Sequence, residues 1–221
     1  MRWCLFLLAV LGVSNAGLAS VASAQPAPAT SIVPPCIVLV GSDGIAVDPL
    51  GAFTVVVNDA TGAPIPGCLV TVSFLGCPYA GLCAGQLDPA IVAFGCAAKS
   101  VSGVTAVGGI CTLSIMGMAT PVPCPADAPG CATVTATAPG FAPVVLGTTS
   151  VAVYDLVPEA GSGMTANDLS EWLGEFFCGS GSPRLDYDCD GVVGGGDLSA
   201  WLFAYFSGGS VLNCAPAGIC K

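Results

Sequence analysis

The chain has no histidine, four basic residues, 7% aromatics and 8% charged residues. Without imidazole there is no His-based general acid or base, no Ser-His or Cys-His nucleophile pair, and no zinc or copper site built on histidine. With four basic side chains and a formal charge of -10 the chain cannot neutralise a nucleic-acid backbone. No two cysteines stand at C-x-x-C spacing, which removes the usual thiolate metal and redox motifs. After the N-terminal segment no apolar run approaches the ~20 residues of a membrane-spanning helix. Oxygen-ligated metals remain the main chemistry open to such a sequence.

What is present begins with an export signal. Residues 1–24 carry Arg2, an apolar run from Cys4 to Val13 and the small-residue ending Ala22-Ser23-Ala24, the pattern of a secretory leader. Of the 13 cysteines only Cys4 falls within it, so twelve remain in the exported chain, where disulfides persist. Eight (Cys36, Cys68, Cys77, Cys83, Cys96, Cys111, Cys124, Cys131) precede residue 150 and four (Cys178, Cys189, Cys214, Cys220) follow it. Both subsets are even, which supports a boundary between them. The expected organisation is a leader (1–24), a linker (25–35), a β domain (36–154) and a C-terminal module (155–221).

The β domain is read from short β-branched runs separated by Gly, Pro, Asn and Asp: 37–40, 53–57, 69–74, 111–115 and 132–136. The Thr/Val alternation in 69–74 and 132–136 places hydroxyls on one face and branched apolar groups on the other, as a two-sheet sandwich needs. Gly76 to Cys96, with three cysteines, is expected to be a stapled surface loop. The connection Asn58-Asp59-Ala60-Thr61-Gly62-Ala63-Pro64-Ile65-Pro66-Gly67 supplies turn residues between two strands. Here the sequence resembles the bacterial immunoglobulin-like domains of secreted and surface proteins. The resemblance implies a sandwich fold and no activity.

The C-terminal module contains the sharpest motif. Asp186-Tyr187-Asp188-Cys189-Asp190-Gly191-Val192-Val193-Gly194-Gly195-Gly196-Asp197 places carboxylates at the first, third, fifth and twelfth places of a twelve-residue loop, with glycine at the sixth. That is a calcium-loop pattern, because Ca²⁺ takes six to eight oxygens and a tight loop delivers them from alternate residues. The expected ligands are Asp186, Asp188 and Asp190 through their side chains, Val192 through its carbonyl and Asp197 as the closing carboxylate. The pattern departs from the usual EF-hand in having Asp, not Glu, at the twelfth place.

A repeat surrounds this loop. Asp168-Leu-Ser-Glu-Trp-Leu-Gly-Glu-Phe-Phe177 returns 29 residues later as Asp197-Leu-Ser-Ala-Trp-Leu-Phe-Ala-Tyr-Phe206. Leu169, Trp172, Leu173 and Phe176, like Leu198, Trp201, Leu202 and Tyr205, fall at helical i, i+3, i+4, i+7 spacing, and the two apolar faces are expected to pack on each other. The segment from Cys178 to Pro183 cannot form an incoming helix. A loop with only an outgoing helix, present twice, resembles a type I dockerin. The resemblance implies secretion, calcium-dependent folding and docking on a cohesin, often in polysaccharide-degrading assemblies. The first loop, read as Val157 to Asp168, keeps Asp168 and Glu159 and is expected to hold no metal. The positions that dockerins use for cohesin contact are Ala166-Asn167 and Gly195-Gly196. Disulfides Cys178–Cys189 and Cys214–Cys220 are expected to frame the module.

The fold expected is thus mainly β: a disulfide-rich immunoglobulin-like β-sandwich followed by a small α-helical dockerin-like module. The function expected is non-catalytic calcium binding in a secreted or cell-surface protein with a structural, adhesive or docking role. Its partners are calcium and a cohesin-like or other extracellular protein, with no nucleic acid and no membrane span. Two alternatives rest on the β domain. A glycosidase would need a carboxylate pair from Asp43, Asp48, Asp59, Asp88 and Asp127. A sugar-binding sandwich would have Tyr79 and Tyr154 as its only tyrosines.

Overall fold

A computed structural model describes residues 24–120, 129–159, 163–179, 181–207, 214 and 218–220. The leader lies outside the described residues apart from Ala24. The strands are β1 (Cys36–Leu39), β2 (Ala52–Val56), β3 (Leu69–Ser73), β4 (Ala80–Cys83), β5 (Ile91–Gly95), β6 (Ser100–Val104), β7 (Ile110–Ser114), β8 (Gly117–Ala119), β9 (Ala132–Thr137) and β10 (Val144–Val153). Helices α1 (Ala166–Cys178) and α2 (Gly195–Phe206) and a short β11 (Ile219–Cys220) complete the described chain. The protein is mainly β, and all five runs expected to be strands are strands.

Six strands form one sheet in the order β1-β10-β9-β3-β6-β5, β2 pairs with β7, and β4 lies between β11 and β8. The alternation read in β3 and β9 has its expected result: Val70, Val72, Val134 and Ala136 are fully buried, whereas the Thr71 and Ser102 hydroxyls meet at 2.8 Å on the outer face. The β2–β7 pair lies against the inner face of β6, where a Cβ on Gly103 would come within 2.8 Å of both Cys111 Sγ and Leu113 Cδ2.

β10 is the longest strand and changes partner along its length. Its first half runs antiparallel to β9 and Ser150 to Val153 run parallel to β1, with the antiparallel register shifting between Val145 and Gly147. The segment expected to be a linker is hydrogen-bonded to the β domain: Ala27 N donates to Asn58 O at 2.9 Å, and Ile32 and Val56 exchange backbone bonds.

Two expectations are corrected. Gly76 to Cys96 is no surface loop, because it contains β4, buried at every residue between its two neighbours. The disulfides are also not local. They join Cys36 to Cys189, Cys77 to Cys131, Cys83 to Cys214 and Cys96 to Cys220, so Cys189 is not bonded to Cys178, nor Cys214 to Cys220. Three of the four tie residues beyond 155 to the β domain. The pairing of β11 with β4, with Ile219 opposite Cys83, carries the tail cysteines onto the β domain. Cys178 is disulfide-bonded too.

Candidate metal centre

Helix α2 begins where the acidic loop ends, and Asp197 closes the loop. Its Oδ1 accepts from Tyr187 N at 2.7 Å and Asp188 N at 3.3 Å, while Oδ2 accepts from Gly194 N at 2.7 Å. The carboxylate thereby joins the N-cap N–H of α2 to two N–H groups of the loop's first turn and pins that turn over the helix start.

In front of this cap, carboxylate oxygens of Asp186, Asp188 and Asp190 lie within 4.8 Å of one another. Asp186 is buried and the other two reach solvent. Asp186 accepts from Gly191 N at 3.0 Å and Asp190 N at 3.2 Å, and Gly191 takes φ 85°, the left-handed turn expected of the sixth place. Burial pushes the Asp186 carboxyl up and the Asp197 charge adds to this, while N–H bonds from Gly191, Cys189 and Asp190 pull it back. Three converging carboxylates with free lone pairs fit a hard cation such as Ca²⁺. Of the five expected ligands, the loop brings these three together. Asp197 caps the helix, and Val192 lies on the same loop with its N–H bonded to Asp190 Oδ1 at 2.7 Å.

The two glycines that open α2, Gly195 and Gly196, have different surroundings. A Cβ on Gly196 would lie 2.5 Å from Asp188 Oδ2, whereas one on Gly195 would meet nothing within 4 Å. Glycine at 196 makes room for the Asp188 carboxylate. Cys189 has φ 64°, an uncommon conformation for a side-chain-bearing residue, and is held there by its bridge to Cys36.

The first repeat reproduces the architecture in a different register. Asp168 Oδ1 accepts from Leu156 N and Val157 N, both at 2.7 Å, and Oδ2 from Thr165 N at 2.6 Å. Matching these bonds to those of Asp197 makes Asp155, buried at 3% exposure, the counterpart of Asp186, so the loop starts two residues earlier than Val157 and is two residues longer than its partner. Glu159 then corresponds to Asp190; it accepts from Asn167 Nδ2 at 2.6 Å.

The helices match in detail. Trp172 stacks on Phe176 at 5.2 Å and Trp201 on Tyr205 at 5.3 Å, and Phe176/Phe177 and Tyr205/Phe206 form edge contacts at 5.5 and 5.2 Å. Only the tryptophans are fully buried. Phe177 and Phe206 are each 79% exposed, Leu173, Phe176 and Phe203 are exposed too, and α1 and α2 make little contact with each other, so the two apolar faces do not cover each other as expected. Between the loops lies Arg184, 1% exposed, whose Nε donates to Glu175 Oε2 at 2.7 Å and whose Nη2 pairs with Glu175 Oε1. Its Nη1 donates to Thr120 O at 3.4 Å, and Glu171 Oε1 lies 3.5 Å away. The sequence signal for this residue is its rarity, as one of three basic residues after the leader.

The other candidates are absorbed by the fold. Asp43, Asp48, Asp59 and Asp88 each accept from backbone N–H groups in turns, and Asp127 lies outside the described residues. Tyr79 is buried with its hydroxyl on Val151 O at 3.0 Å, and Tyr154 is buried in a stack with Tyr187 at 4.7 Å. Neither presents a ring to a sugar. Among the described residues no helix is long and apolar enough to cross a membrane. Comparison with protein-family models, curated proteins and solved structures finds no match to this chain.

Proposed function

We propose that this chain is a secreted, non-catalytic calcium-binding protein in which an immunoglobulin-like β-sandwich carries a dockerin-like module with one metal site. The observation that carries this reading is the convergence of Asp186, Asp188 and Asp190 within 4.8 Å, on a loop closed by Asp197 at the start of a helix. Val192 contributes its carbonyl and Asp197 either joins the ligands or holds the loop for them. Calcium offsets the mutual repulsion of the acids, so binding stabilises the folded module. Export accords with the four disulfides. Calorimetric titration with Ca²⁺ tests the site. One ion bound by the parent and none by the Asp186→Ala, Asp190→Ala double variant is expected. Absence of binding at millimolar calcium would defeat the reading.

A second reading, that the module docks on a cohesin of a polysaccharide-degrading assembly, is favoured by the matched exposed aromatics Phe177 and Phe206. Retention of the protein by an immobilised cohesin in calcium, lost in chelator, is the expected result. Failure with every cohesin of a broad panel would remove the docking role and leave the calcium site standing.

A further inference from the structure

Two cysteines remain as thiols, Cys68 and Cys111, both buried, while every other described cysteine is disulfide-bonded. Strand register brings them together. Cys68 faces Thr105: Thr105 N donates to Cys68 O at 2.9 Å, and Cys68 N donates to Thr105 Oγ1 at 2.8 Å. Directly opposed residues share a face of the sheet, and so does Gly103, two residues before Thr105. That face looks onto β7, where Cys111 Sγ comes so near Gly103 that a Cβ there would lie only 2.8 Å away. The two side chains therefore enter the same gap from opposite sides, and glycine at 103 keeps it open.

We propose that Cys68 and Cys111 close into a further disulfide in the oxidised protein, joining the six-stranded sheet to the β2–β7 pair through the core. The oxidant is a low-molecular-weight disulfide such as oxidised glutathione. One cysteine, deprotonated, attacks it to form a mixed disulfide and release one glutathione thiolate. The second cysteine, deprotonated in turn, attacks the protein sulfur of that intermediate, forming the Cys68–Cys111 bond and releasing the second thiolate. Two electrons pass to the oxidant, and the two protons end on the two glutathione molecules.

The folded core is a poor place for this exchange. Burial, with the Asp88 charge and the neighbouring Cys68 adding to it, pushes the Cys111 thiol up to about 11, so that only roughly one molecule in 10⁴ carries the thiolate at pH 7. The bridge therefore forms while the core is still open, and a chain folded without it stays reduced.

The test is cysteine mapping on protein refolded in a reduced and oxidised glutathione buffer, alkylated in denaturant without reduction and then digested. A peptide pair linked through Cys68 and Cys111, neither alkylated, is expected beside the four bridges named above and that of Cys178. In the Cys68→Ala variant Cys111 gains one label, where two free thiols in the parent would instead fall from two labels to one. Alkylation of both residues in parent protein whose other bridges are closed, or linkage of either to a different cysteine, would overturn the proposal.

Discussion

Trp201 Nε1 donates to the backbone carbonyl of Tyr154 across 3.1 Å, which fastens α2 to the end of β10. Tyr187 Oη reaches Val153 O at 3.0 Å, and Arg184 reaches Thr120. These acceptors, with Cys36, all lie before residue 155. A fragment of residues 155–221 loses them together and is expected to lack cooperative unfolding with or without calcium, whereas the intact protein melts with its helices folded. Circular dichroism on heating compares the two. A fragment with a sharp, calcium-raised melt would show that the module folds alone.

Substitution at the paired glycines separates the metal site from the helix. Gly196→Ala pushes a methyl group into Asp188 Oδ2, and calcium affinity is expected to fall by about tenfold or more, ~1.4 kcal/mol. Gly195→Ala meets nothing and leaves affinity within about a factor of two, RT ln 2 being ~0.4 kcal/mol. Calorimetry on both variants reads the difference, and equal effects would contradict the placement of Asp188.

The Cys36–Cys189 bridge ties a left-handed residue of the acidic loop to β1. Replacing both cysteines by serine is expected to cost about 2–5 kcal/mol. Serine at 36 with glycine at 189 recovers about 1 kcal/mol of this, because glycine accepts φ 64° without strain. Denaturant unfolding of the two double variants measures the recovery.

Glu175→Leu leaves the buried Arg184 charge with only the half-exposed Glu171 as counter-ion, and a loss of about 3 kcal/mol follows. Pairing it with Arg184→Met removes the buried charge, so the double variant is expected to lose less than Glu175→Leu alone. A double-mutant cycle by urea titration checks the coupling.

Stability is expected to fall in alkali. Burial, with a smaller contribution from Asp48, raises the Tyr154 phenol to about 12, and burial followed by the Tyr154 charge raises Tyr187 well above the ordinary phenol value. The unfolded phenols titrate near 10, so above that pH the unfolded chain binds fewer protons than the folded one and loses them first. The stability these groups contribute is complete below pH ~10 and is lost as pH rises above it, for Tyr154 disappearing as pH climbs through about 12, at up to ~1.4 kcal/mol per pH unit for each. Lys99, lowered by burial, works in the opposite direction, but only up to its unfolded value near 10.5. Urea midpoints between pH 9 and 11.5 should fall, and fall less in Tyr154→Phe; an unchanged slope in that variant would refute the assignment.

The strands legible in the sequence are those whose side chains alternate cleanly, as in Leu69–Ser73 and Ala132–Thr137. β10 escapes that reading because Gly147 interrupts its pattern where the register shifts, and because its parallel half is paired on one edge by residues more than a hundred positions away. β4 escapes it because a strand buried on both faces has no polar alternation to show.

The acidic loop, its sixth-place glycine and the duplicated helix were fixed by local sequence, since their geometry is set within a dozen residues by turn chemistry, capping and helical spacing. The register of the first loop was not: it became visible only when the backbone donors to Asp168 could be matched with those to Asp197. Nor could spacing reveal that Cys189 pairs with Cys36 and Cys220 with Cys96, or that Arg184 is buried between Glu175 of α1 and Thr120 of the β domain. Bridges and buried ion pairs join residues that only the packing of the helices and tail on the β domain brings into reach, and chain distance carries no record of that packing.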